Sequence, residues 1–375
     1  KNKNLFVNKL ISNIKEALIE YDVFVKKQFD CAFISFSNDS ILNKIIEILK
    51  MIPGIQYIIV ANKIERSLSI LEDCIANYIN PNKTFKLFIK RSDKNYELNS
   101  KEITIRVASF LFKKYGEILK VDFHNPEQKI YVEIKELEII YYMNKINGAG
   151  GFPVGINGEA LILLSGGIDS PVASCLIQKK GIIPNFITFM TPPYTSNEAL
   201  NKVKDLIKII TLNKKLSNGV LYIVDFTPIL HEIKHISNES YKITIMRRIF
   251  FRIANEICKR KNYMAIVTGE SVGQVASQTL ESMEVISLSI ENRLIMRPLL
   301  CMDKSEIISL ANKYGTYQTS ILPYDDSCTL FAPKKPTTKP KLNKILKYES
   351  ELSLLDDLIY RTIEITLKKV AYHDK

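Results

Sequence analysis

No CxxC pair occurs in this 375-residue sequence, although six cysteines (Cys31, Cys74, Cys175, Cys258, Cys301 and Cys328) are scattered along it. Such spacing argues against a zinc or iron–sulfur centre and against a disulfide framework, and it suits a reducing compartment. The four histidines form no HExxH pattern; His231 and His235, four apart, read more simply as a polar helix face than as metal ligands. No stretch approaches the roughly eighteen uninterrupted apolar residues that a membrane span needs, and no signal peptide opens the chain. A cytoplasmic protein without a membrane partner is therefore expected. The Walker pattern, GxxxxGK followed by Ser or Thr, and the dinucleotide pattern GxGxxG are both missing, which sets aside the two commonest phosphate loops.

What is present begins with a basic surplus, a net charge of +12. It suits a polyanionic partner, but Lys, Asn and Ile are abundant everywhere, so charge alone leaves nucleic acid an open question. The length exceeds a single hydrophobic core, and two or three domains are expected.

Leu5, Phe6, Leu10, Ile14 and Leu18 recur at helical spacing and predict a helix from residue 1 to about 20. Strand-like runs at 31–36 and 56–62 flank a helical run at 40–51. A second unit begins near residue 83, with alternating strands at 84–90 and 128–134 around a helical run at 101–112. Basic residues Lys86, Lys90, Arg91, Lys94 and Arg106 cluster there. That cluster suits either a solvated face or a phosphate-tracking surface, with Tyr96 able to stack on a base. The glycine-rich stretch 147–158 (NGAGGFPVGING) reads as a linker. Beyond it, apolar strands at 160–164, 185–189, 220–226 and 264–268 alternate with helical segments at 171–180, 198–210, 241–260 and 305–313. Continuous apolar strands between helices mean a parallel sheet covered on both faces. This predicts a doubly wound α/β domain from about 158 to 323.

The most informative segment is LILLSGGIDSP, residues 161–171. A buried strand runs into Ser165, Gly166 and Gly167, and Pro171 suits the start of a helix. Two glycines let backbone N–H groups approach an anion, and the helix N-terminus adds unpaired amides and partial positive charge. Ser165 and Ser170 can donate hydroxyl hydrogen bonds. Asp169 beside an anion would be repelled unless a cation intervenes, so Mg2+ is its natural bridge. In an open parallel sheet this turn lies at the carboxyl end of a strand, where ligands bind.

SGGIDS resembles the PP-loop of the ATP pyrophosphatase superfamily. Those enzymes cleave ATP between the α and β phosphates, adenylate a carbonyl oxygen and let a nucleophile displace AMP. A second segment, TGESVGQVASQ at 268–278, together with MRRIFFR at 246–252 and PPYT at 192–195, is similar to the tRNA 4-thiouridine synthetase family, sulfurtransferases also linked to thiamine biosynthesis. Residues 84–91 with Asp93 and Lys94, then Asp122, Asn125, Pro126 and 131–134, resemble the RNA-binding THUMP domain. Residues 1–4 resemble the family's opening helix without its first strand. The resemblance implies an α/β protein in three parts. These are a ferredoxin-like piece at 1–62, a THUMP domain at 63–146 and, after the 147–158 linker, a doubly wound PP-loop domain at 159–375 ending in a Pro- and Lys-rich loop and a helix. No rhodanese domain, which some relatives carry at the C-terminus, is read in the chain.

The resemblance also implies a site. ATP would contact Leu163, Leu164, Ser165, Gly166, Gly167, Asp169, Ser170, Thr188, Phe189, Arg247, Gly269 and Gln278, with Thr188 where relatives often have histidine. Mg2+ would sit on Asp169. From the residues alone, Arg247 reads equally as a salt bridge on a helix surface, and Gln274 and Gln278 as amides able to read an adenine edge or orient a substrate. Cys328, in PYDDSCTLFAP at 323–333, matches the family cysteine that meets the persulfide sulfur; a persulfide is a soft, transferable nucleophile. The other five cysteines are expected to be structural, and no second thiol is identified to resolve the persulfide. The implied reaction adenylates O4 of uridine 8 in tRNA, then replaces it with sulfur, with Asp169 and Cys328 catalytic. Lys86, Lys90, Arg91, Lys94 and Arg106 would bind the RNA. A cysteine desulfurase is the implied sulfur donor, and a homodimer is left open. Two rival readings stand beside this one: another PP-loop tRNA-modifying enzyme of the 2-thiouridine type, and an RNA-binding protein with a vestigial nucleotide site.

Overall fold

The run EALIL at Glu159–Leu163 offers apolar side chains to both faces of a sheet, and the computed structural model, which describes residues 3–28, 31–212, 215–324, 333 and 335–371, covers both. This strand lies inside a six-stranded sheet ordered Leu294–Met296, Ala265–Val267, Glu159–Leu163, Ile183–Met190, Leu221–Asp225, Val370–Ala371. Five strands are parallel and the last pairs antiparallel at the edge. One face packs Leu161, Ile187 and Tyr222 against the long helix Lys242–Lys261 and the helix Leu355–Lys368. The other packs Ile162, Phe186 and Val267 against the helices Asp169–Lys179, Asn197–Ile210 and Lys304–Lys313. The doubly wound parallel sheet expected from strand–helix alternation is thus present. The chain runs outward from Glu159–Leu163 on one side, then returns to add strands on the other. The switch in strand order therefore falls between Glu159–Leu163 and Ala265–Val267, and in open α/β sheets ligands bind beyond the carboxyl ends of the strands at such a point.

The strand Leu294–Met296 was not legible in the sequence. Three residues are too few to display a period, and it is held by its parallel register with Ala265–Val267.

The backbone divides into two compact units, Lys1–Ile55 with Ala149–Lys375, and Gln56–Gly148. In the first unit the helix Lys3–Ala17 and the antiparallel ribbon Phe24–Gln28/Cys31–Ser35 precede the helix Leu42–Met51. Buried Asn13 donates to the Val154 carbonyl at 3.1 Å, and Lys215 pairs with Glu20. The glycine-rich stretch is no free linker. Phe152, Gly155 and Asn157 donate backbone hydrogen bonds to the Lys179 and Gly181 carbonyls. At Gly151, φ +75°, a Cβ would lie 2.1 Å from the Lys179 carbonyl oxygen, so this close approach requires glycine.

The second unit is a four-stranded sheet ordered Asn62–Glu65, Glu138–Tyr142, Gln128–Ile134, Phe85–Arg91, with helices Leu68–Tyr78 and Ser100–Tyr115 packed on one face. A capping box of Asn99 and Glu102 starts the second helix. The run expected as one strand at 56–62 splits instead: Tyr57–Ile59 pairs with Lys145–Asn147, while Asn62–Glu65 joins the larger sheet. No helix among the described residues is long and apolar enough to cross a membrane.

Candidate active site

The turn after Glu159–Leu163 closes on itself. Ser165 N–H donates to Ser170 Oγ at 2.9 Å, the two hydroxyls lie 3.2 Å apart, and Gly167 N–H reaches Ser165 Oγ at 3.3 Å. The helix begins at Asp169, two residues earlier than Pro171 suggested, because a proline in the first turn gives up an N–H that has no partner there anyway. Asp169 therefore stands at the helix start, over the mouth of the loop.

The loop after Ala265–Val267 presses directly on this helix start. A Cβ on Gly269 would lie 2.6 Å from Ser170 N and 2.8 Å from the Asp169 carbonyl carbon, so the close approach of two backbones accounts for this glycine. By contrast, a Cβ on Gly167 would meet nothing closer than Ser165 Oγ at 3.4 Å. From the same Thr268–Gln278 segment, Gln274 donates Nε2 to Asp169 Oδ2 at 2.8 Å. Lys304, at the start of the helix Lys304–Lys313, donates to Asp169 Oδ1 at 2.6 Å. Sequence reasoning did not select Lys304. The one local signal is the capping box of Asp303 and Glu306, which fixes where the helix starts but not what its first lysine meets.

Behind the loop lies a buried ionic network. Glu270, 1% exposed, takes Arg247 on one oxygen at 2.6 Å and Arg297 on the other at 2.7 Å, with the Thr268 hydroxyl at 2.9 Å. Burial alone would raise its carboxyl, but the Arg247 and Arg297 guanidiniums outweigh that and hold it below the usual carboxylate range. Arg247 also donates to Ser277 Oγ and Arg297 to Ser287 Oγ. Arg247 thus belongs to a largely buried network rather than to a surface salt bridge. Gln278 likewise braces its own loop, accepting from Ser271 N–H at 3.3 Å.

The other residues assigned to ATP are placed unevenly. Leu164 is buried in the core, Leu163 half-buried, and Thr188 buried within its strand. Phe189 stacks on Phe250 with ring centroids 3.8 Å apart and meets Phe226 edge-on. Cys328 lies outside the described residues. Burial pushes the Cys175 and Cys258 thiols up to about 12, as suits structural cysteines. Cys301 and Cys31 are exposed, contrary to a structural role for all five. Cys301 adjoins the site, since its neighbours Leu300 and Met302 accept hydrogen bonds from Val272 N–H and Ser271 Oγ.

The five basic residues of the second unit do not share one surface. Lys86 and Lys90 alternate with buried Phe85 and half-buried Leu87 and Ile89, so they stand on the sheet face away from the helices. There Phe88, Tyr131 and Tyr142 stack across three strands at 4.9 Å spacing, with Lys86 Nζ 5.0 Å from the Phe88 ring. Arg91 instead donates to the Tyr96 and Leu98 carbonyls, bracing a loop. The Tyr96 ring is taken by the Arg66 guanidinium at 4.9 Å. Lys94 is exposed, and Arg106 sits on the helix layer paired with Glu72.

A self-closed strand–turn–helix loop at the switch point of a parallel sheet, with a carboxylate at its mouth, defines the class as PP-loop nucleotide-binding proteins. Comparison with known proteins is more specific. The family described as thiamine biosynthesis protein (ThiI) matches residues 155–354, the THUMP domain 74–142, and the ThiI ferredoxin-like domain 1–58. A probable tRNA sulfurtransferase of Ureaplasma parvum serovar 3 is 49% identical over 98% of this chain and 95% of its own length. Another from Malacoplasma penetrans is 43% identical over 97% and 94%. A crystal structure of a 4-thiouridine synthetase–RNA complex with bound ATP matches with TM-score 0.87 and 32% identity, over 97% of this chain and 94% of that one. The chain belongs to the ThiI family.

Proposed function

We propose that this protein is an ATP-dependent tRNA sulfurtransferase that makes 4-thiouridine at position 8 of tRNA. The observation that carries the reading is Asp169 at the mouth of the phosphate loop, met there by Lys304. A carboxylate and an ammonium at that point suit a metal-bound triphosphate whose pyrophosphate must depart. The full-length relationship to tRNA sulfurtransferases and the THUMP domain supply the substrate class.

Uridine O4 attacks the α-phosphorus of ATP held by the loop. The bond to the bridging oxygen breaks, pyrophosphate leaves, and the N3 proton passes to water. Lys304 offsets charge gathering on the departing oxygens. The terminal sulfur of a persulfide on Cys328 then attacks C4, and AMP leaves with O4. A second thiol attacks Cys328 Sγ, frees the thiouridine and leaves a disulfide for an external thiol to reduce.

Mg2+ fits this donor set. Among the described residues no group of three or more His, Cys, Asp or Glu side chains could cage a metal. Mg2+ is usually held by one or two carboxylates together with phosphate oxygens and water, and Asp169 supplies one carboxylate. Bound there, the ion would neutralise charge on the transferring phosphates. Tight tRNA contacts at Lys86 and Lys90, a cysteine desulfurase as persulfide donor and a cytoplasmic location complete the reading.

The test is mass spectrometry of tRNA nucleosides after incubation with the full chain, Mg-ATP, cysteine and a cysteine desulfurase. 4-Thiouridine at position 8, formed only with ATP, is expected. A 2-thiouridine product, or no thiolated base at all, would overturn the reading.

A further inference from the structure

Beside Asp169 lies a buried acceptor with no donor. Because Gln274 turns its Nε2 to Asp169, its amide oxygen faces the other way, and that Oε1 atom is shielded from solvent without a hydrogen-bond partner among the described residues. Buried polar atoms in native proteins nearly always find a partner, so an orphan at a site of chemistry points to a ligand. The amide is also held in place. Gly273 N–H donates to the Gln278 carbonyl, Gln278 Oε1 accepts from Ser271 N–H, and Val272 N–H and Ser271 Oγ are tied to Leu300 and Met302.

The missing partner must be a donor, and few groups in the proposed reaction bring one to this spot. Phosphate oxygens of ATP accept only, and so does a persulfide anion. The amino group of adenine is held a ribose away from phosphates lying in the loop. The uracil is different. Its O4 must touch the α-phosphorus, and the atom two bonds from O4 on the ring edge is N3, which carries a hydrogen. Cytosine presents a bare lone pair at the same place.

We infer that Gln274 Oε1 accepts the N3–H of the uracil being activated, making Gln274 a specificity-determining residue that reads uridine against cytidine. The inference rests on the sulfurtransferase reading above. As O4 bonds to phosphorus the N3 proton becomes more acidic, so this hydrogen bond tightens toward the transition state before the proton leaves to water. Recognition and activation are thus made by one contact.

The test is a cycle between one side chain and one substrate atom. Full-length enzyme and the Gln274→Met variant are each given tRNA carrying uridine or 3-deazauridine at position 8, the latter lacking N3–H, and single-turnover pyrophosphate release is measured. Altered ring electronics act equally on both enzymes and cancel. The uridine-to-3-deazauridine rate ratio should be roughly 10- to 100-fold larger for the parent than for Gln274→Met, the span expected of a buried hydrogen bond left unmade. Gln274→Ala, run beside it with thermal melts of both variants, guards against a folding defect in one of them.

Equal ratios would assign Gln274 to Asp169, or to a metal-bound water, and overturn the inference. So would loss of pyrophosphate release with both RNAs in two folded variants. Failure of the parent enzyme to thiolate ordinary tRNA is a separate result: it sinks the functional reading and takes the inference with it.

Discussion

The ammonium of Lys304 sits 2.6 Å from Asp169 Oδ1 across 135 residues of sequence, joining the first residue of one helix to the first residue of another. The pair is partly open to solvent, with Lys304 43% and Asp169 22% exposed. Its stabilising contribution is accordingly small, within about 1 kcal/mol, and its position at the loop suits the role in pyrophosphate departure proposed above. Lys304→Met should leave the melting temperature nearly unchanged while slowing tRNA-dependent pyrophosphate release by about 100-fold or more. A large drop in melting temperature with little change in rate would reverse that assignment.

Glu270 presents the opposite case, a carboxylate whose main work is structural. Glu270→Gln strands two guanidiniums in a buried space, and a loss of about 3–5 kcal/mol is expected at neutral pH. Because the folded-state value lies below the ordinary 4.5, the stability it contributes is present above that value. It is lost as pH falls through the depressed one. Urea melts should therefore show parent and variant converging in acid, whereas a gap that widens toward low pH would contradict the sign.

Two glycines of the site should behave differently. Gly269→Ala drives a Cβ into the backbone of Asp169 and Ser170, and about 1–3 kcal/mol of stability should be lost together with ATP affinity. Gly167→Ala, whose Cβ has ordinary room, should fold within about 0.5 kcal/mol of the parent. Equilibrium binding of ATP and thermal melts on the two variants make the comparison.

Sulfur transfer should be separable from adenylation. Cys328→Ser should still release pyrophosphate with tRNA and ATP yet form no 4-thiouridine. Cys175→Ala, which alters a thiol raised to about 12 by burial, should keep both activities. Full thiolation by Cys328→Ser, read by nucleoside mass spectrometry, would move the sulfur to another residue.

Several features of this protein follow from neighbours along the chain. Apolar runs bounded by turn residues define the strands Glu159–Leu163, Ile183–Met190 and Leu221–Asp225, and the turn from Ser165 to Ser170 follows from two glycines between a strand and a helix. Periodicity reports that a face is buried, and capping residues report where a helix starts. Both are local, so both are legible before any fold is known.

What meets what is a different matter. Asp169 finds Gln274 105 residues away and Lys304 farther still, because the strand order places Ala265–Val267 beside Glu159–Leu163 and sends both following loops to one crevice. Arg247, readable in advance as either ligand or surface charge, became part of a buried network once Glu270 and Arg297 converged from two other segments. The glycine-rich stretch became a packed turn only when the Lys179–Gly181 backbone lay against it. Residue pattern states which groups are available and which surfaces must be hidden. Partners are assigned by the packing of distant segments, since a hydrogen bond or ion pair acts over a few ångströms of space with no regard to separation along the chain.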